Sequence, residues 1–136
     1  MSVLGGTLSS FPNFVAYFAL GAGLTALFLA LYSKLTPHRE VALIRNGNSA
    51  AAVALTGGLL GFIVPLASVI AHSAAIVDLL VWGLIALIVQ LGGFMAARIV
   101  LPGLPQAIEA GNLADAIFLA GLSLALGLLD AACMAG

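Results

Sequence analysis

Charge is what this sequence has least of. Four Lys and Arg and five Asp and Glu, 7 % of 136 residues, leave too little polar material to clothe a soluble globule. With a net charge of −1 and so few cations, the chain has no basic patch to neutralise a phosphate backbone, so nucleic acid is not an expected partner. A single cysteine, Cys133, rules out an intrachain disulfide and leaves the redox compartment unread. His72, Asp78, Asp130 and Cys133 carry ligand chemistry but follow no metal-binding spacing, so no metal is expected. The chain also lacks a nucleophile–base pair, a phosphate loop and a dinucleotide fingerprint. It reads as a non-enzyme, with no catalytic residues and no cofactor.

What is present is apolar. Hydrophobic residues make up 63 % of the chain and the mean hydropathy is +1.25. Four apolar runs, at about residues 12–33, 49–71, 76–97 and 113–134, reach the roughly 20 residues that a helix needs to cross the hydrocarbon core. They show no period-two alternation, so they are expected as helices rather than strands of a barrel. The N-terminal MSVLGGTLSS has no positive stretch, so the first run reads as a retained span rather than a cleaved signal peptide. The expectation is an all-α integral membrane protein forming one transmembrane domain over residues 1–136, with the lipid bilayer as its first partner.

The few charges are not scattered. The segment KLTPHREVALIRN, residues 34–46, holds Lys34, Arg39 and Arg45, and the fourth cation, Arg98, lies in the link between the third and fourth spans. Short links rich in Lys and Arg stay in the cytoplasm. Both links are therefore expected inside, giving an N-out, C-out topology in which the loop at His72 faces out. Tyr17 and Trp82 read as anchors at the outer interface. The cations either set only the orientation or also form a docking surface for a cytoplasmic partner, with three basic residues too few for anionic-lipid recognition alone.

The chain also echoes itself at an offset of 64 residues. IRNGN at 44–48 answers IEAGN at 108–112, Lys34 answers Arg98, and Leu55, Gly57 and Leu60 answer Leu119, Gly121 and Leu124. Two tandem helical hairpins are expected, repeat one at about 12–71 and repeat two at about 76–135. With two spans each they run parallel, related by an axis along the membrane normal. In each inside link a short amphipathic piece is expected, at Val41 and Ile44 and at Ala107–Ile108, with Asn48 and Asn112 capping the helices that follow.

Three features inside the spans carry the functional reading. Gly57 and Gly61 form a G-x-x-x-G followed by Pro65; the small residues let backbones approach within the chain or between subunits. Pro65 removes a helical donor and is expected to kink the second span. Gln90, Ser123 and Asp130 are polar groups at membrane depth, which either line a path or pack: Gln90 as interhelical glue, Asp130 as an interfacial acid.

The segments YSKLTPHREVALIRNGN (32–48), GGLLGFIVPLAS (57–68), WGLIALIVQL (82–91) and LLDAACM (128–134) resemble the YjfL-type family of small bacterial inner-membrane proteins of unknown function, over essentially the whole length. The resemblance implies a multi-pass protein of the bacterial inner membrane and no established activity. It also implies envelope maintenance, with cytoplasmic membrane-stress proteins of the phage-shock type as candidate partners. The family carries Asn where this chain has Asp130; a hydrogen-bonding role survives that exchange and a charge-dependent one does not. The leading functional reading is a small homo-oligomeric channel or transporter-like component. The alternative is a non-transporting anchor that recruits a cytoplasmic protein through its inside loops.

Overall fold

A computed structural model describes residues 3–35, 40–72 and 75–135. Arg39 lies outside the described residues. The described chain is helical, with no strand, in the order α1 (Val3–Leu35), α2 (Glu40–Arg45), α3 (Ser49–His72), α4 (Ile76–Val100), α5 (Leu104–Glu109) and α6 (Leu113–Ala135). Four of these, at Ser10–Leu35, Ser49–His72, Ile76–Val100 and Leu113–Met134, are long and apolar enough to cross a membrane. A span of 24 residues such as α3 extends about 36 Å, sufficient for a hydrocarbon core of about 30 Å with some tilt. The first helix begins earlier than the apolar run in the sequence and carries Pro12 inside it.

The helices use two kinds of packing. α3 and α6 make the most extensive contact, α4 lies against both, and α1 packs on α4 and α3. Between α1, α3 and α4 the filler is aromatic. Phe28 stacks on Phe62 with centroids 4.9 Å apart and planes 10° from parallel, and Tyr32 meets Phe94 at 5.2 Å. Between α3 and α6 the filler is nearly absent. A Cβ on Gly57 would collide with Ala120 and one on Gly61 with the Ser123 carbonyl, so these helices meet backbone to backbone. In lipid, where apolar burial gives no drive to associate, such close packing is a main source of cohesion. Phe11, Phe14, Phe18, Ile88 and Leu129 are exposed, as a bilayer allows. Thr25, on α1, donates its hydroxyl to Gly21 O at 2.8 Å, the back-bond that lets a hydroxyl sit in a membrane helix.

The two links share one local design. In each, a short helix ends in a glycine of positive φ, Gly47 at +87° and Gly111 at +89°. The glycine N–H bonds three residues back (Gly47 to Ile44, Gly111 to Ile108) and the next residue's N–H bonds five back (Asn48 to Leu43, Asn112 to Ala107). This is the Schellman closure, which needs the left-handed conformation that glycine adopts without a Cβ clash. The asparagine that follows caps the next span: Ala51 N–H donates to Asn48 Oδ1 at 3.0 Å and Asp115 N–H donates to Asn112 Oδ1 at 3.2 Å. Helix stop and helix start are thus compressed into adjacent residues. Asn48 goes further, its amide donating to Ile108 O and Glu109 O, both at 3.0 Å, and so tying the start of α3 to the end of α5.

Candidate functional site

An α-helical carbonyl normally accepts from the N–H four residues on. For Gly61 that residue is Pro65, which has no N–H, yet α3 runs through it as one helix. The freed Gly61 carbonyl is taken up by α4: Gln90 Nε2 donates to Gly61 O at 3.0 Å and to Ser123 O at 3.1 Å. Gln90 is only 3 % exposed and Ser123 7 %. The same carbonyl presses on Gly127, where a Cβ would strike Gly61 O. One amide therefore pins three helices, at the one turn of α3 where a backbone acceptor has been released. Sequence reading singled out Gly61, Pro65, Gln90 and Ser123 separately, and the structure brings all four together. Gly57 belongs to the same seam, one turn away against Ala120. The part of Gly127 was not legible, because nothing in the sequence says which glycine a released carbonyl will face.

Asp130 stands apart from this lock. It is half-buried on α6, with Oδ2 buried and without a hydrogen-bond partner. Next to it, Ala131 O accepts from Ser68 Oγ at 3.4 Å, a second and weaker α3–α6 tie. Cys133 is exposed. At this end of the bundle a cavity of about 160 Å³ is lined by Ser68, Val69, His72, Asp78, Trp82 and Met134, from α3, α4 and α6. Among the described residues no three His, Cys, Asp or Glu side chains gather as metal ligands. His72 and Asp78, two members of the group singled out in the sequence, share the cavity, while Asp130 and Cys133 do not line it. Two further hollows are apolar grooves between long helices, one of about 450 Å³ between α3 and α6 at Thr56, Gly57, Ala120 and Gly121, the other between α1 and α3.

At the Asn48 end, the basic residues divide. Lys34 and Arg45 are exposed. Arg98 is partly buried, donating to Leu35 O at 3.4 Å with its guanidinium carbon 5.9 Å from the centre of the Phe94 ring. The C-terminus of α1 is a favourable place for that cation. Glu40 at the start of α2 is buried, which the polar character of the link did not announce, and Val41 beside it is exposed.

Residues 6–134 match the family model described as Domain of Unknown Function (DUF350). The chain belongs to this family. Among curated proteins, this DUF350 member is 42 % identical to the UPF0719 inner membrane protein YjfL of Escherichia coli (strain K12) over 127 residues, covering 93 % of this chain and 96 % of the relative. The protein of the same name from Escherichia coli O157:H7 gives the same identity and coverage. No solved structure matches the chain. Together with the four spans, the relatives place this DUF350 chain as a multi-pass inner-membrane protein.

Proposed function

We propose that the protein is a non-conducting scaffold of the inner membrane that recruits a cytoplasmic protein at its Asn48 end. The observation that carries this reading is the commitment of Gln90. Its amide is bonded to two backbone carbonyls, so the most buried polar side chain of the spans works as a fastener. The exposed Lys34 and Arg45 then supply charge at the face expected inside, on a rigid platform, for an acidic protein surface. Arg39, in the same link, adds to that charge in sequence. The chemistry on this surface needs no enzymatic step. A cytoplasmic membrane-stress protein fits the envelope-maintenance role that the resemblance implies.

A second reading, a homo-oligomeric channel or transporter-like component, draws support from Asp130, whose buried and unpartnered oxygen is a costly group for lipid unless another chain or water meets it. One experiment separates the two. Purified protein in liposomes is expected to pass neither ions nor protons under a gradient or applied voltage, while Lys34→Glu with Arg45→Glu abolishes capture of the cytoplasmic partner without changing membrane insertion. Flux that disappears in a folded Asp130→Leu variant overturns the scaffold reading in favour of the second.

A further inference from the structure

The cavity at the His72 end has a chemistry that neither reading uses. His72 Nδ1 lies 2.9 Å from Ser68 O. A carbonyl only accepts, so Nδ1 carries the proton, and in the neutral ring Nε2 is left as an acceptor. Asp78, in the first turn of α4, brings a carboxylate with several lone pairs to the same cavity. Trp82 supplies an indole and is 42 % exposed, which leaves ring surface available. The remaining lining residues, Ser68, Val69 and Met134, carry no positive charge, and the Lys and Arg among the described residues, Lys34, Arg45 and Arg98, sit in the last turns of α1, α2 and α4 at the opposite end. α3 and α6 both end here, so two carbonyl-rich helix termini add negative potential, and Asp78 offsets the positive start of α4.

A carboxylate, an imidazole acceptor and an indole face around a pocket without a cation describe a receptor for a small organic cation. We propose that this cavity binds a primary alkylammonium group, whether on a lipid headgroup or on a free amine. Its three N–H donors find Asp78, His72 Nε2 and a helix-end carbonyl, while Trp82 covers the attached methylenes and shares the charge through its ring. The volume of about 160 Å³ far exceeds the roughly 10–15 Å³ that a single water needs. Divalent metals are a poorer match, since they want three or more protein ligands or a full oxygen cage, and the described residues gather no such set.

Trp82 is the only tryptophan in the chain, so its emission reports this cavity alone. The full chain is placed in liposomes of phosphatidylglycerol, which bring no second protein, and titrated with ethylammonium chloride, with ethanol as the neutral counterpart. A parallel series raises the mole fraction of phosphatidylethanolamine. A saturable change in Trp82 emission is expected with an amine and not with ethanol. A response to ethylammonium identifies a site open to free amines; a response only to phosphatidylethanolamine identifies the headgroup as the ligand. Asp78→Asn is expected to weaken the response about tenfold or more, a loss of at least about 1.4 kcal/mol, and Asp130→Asn, outside the lining, to leave it unchanged. If Asp78→Asn does not fold by circular dichroism, His72→Phe provides the same test. No saturable change with either amine, or unaltered curves in the folded cavity variants, overturns the proposal.

Discussion

Gln90 answers a gap that Pro65 opens. Pro65 silences one rung of α3, and the carbonyl so released is the one that Gln90 reaches across from α4. The two residues should therefore be energetically coupled. Gln90→Leu is expected to destabilise the protein by about 1–2 kcal/mol in detergent unfolding, since two buried acceptors lose their shared donor. In a Pro65→Ala background, where the backbone N–H of residue 65 again serves Gly61 O, the same substitution should cost less, with a coupling of about 0.5 kcal/mol or more. Equal costs in both backgrounds would show that the lock does not depend on the proline. At this scale much was legible: polar residues at depth and small residues in a stripe mark themselves in an apolar chain. Their meeting was not legible, because it depends on how α4 lies across α3 and α6, which no local pattern encodes.

The helices themselves were the most readable level. Apolar runs in lipid have one local solution, so spans expected at 49–71 and 113–134 appear at Ser49–His72 and Leu113–Ala135. Asn48 and Asn112 were expected as caps, and each accepts from the N–H three residues on. The early start of α1 was missed, because MSVLGGTLSS is not apolar enough to declare a span although nothing in it stops a helix. The α3–α6 seam makes its own prediction. Gly127→Ala drives a methyl into the Gly61 carbonyl, whereas Gly121→Ala meets nothing within 4 Å. The first should lower stability by about 1–3 kcal/mol. The second, on the same helix, should be neutral or slightly stabilising through helix propensity, by up to about 1 kcal/mol. Thermal unfolding of the two variants in one detergent tests the seam, and equal losses would place the close contact elsewhere on α6.

For the molecule as a whole, the distribution of charge predicts which way up it sits. The positive-inside pattern rests on Lys34, Arg39, Arg45 and Arg98, of which Lys34, Arg45 and Arg98 stand in the last turns of α1, α2 and α4 at one end of the bundle. Cys133 lies at the other end, is exposed, and has no competitor in the chain. A membrane-impermeant maleimide should therefore label the native protein in spheroplasts from outside. Labelling only after permeabilisation would reverse the topology, moving the Asn48 links to the outer face and with them the proposed recruitment surface. The Schellman closures at Gly47 and Gly111 have one geometry, but their surroundings differ: Asn48 reaches across to α5, while Asn112 is exposed.

The released carbonyl of Gly61 also bears on how the protein enters its membrane. A span inserted alone must arrive with its backbone satisfied from within, and α3 cannot meet that condition at the turn holding Pro65. Its acceptor stays bare until α4 delivers Gln90, the next long helix to leave the ribosome. The sequence thereby favours lateral release of α3 and α4 as a pair, and it makes α6, with Ser123 and Gly127, the last strut to close on a partly assembled bundle.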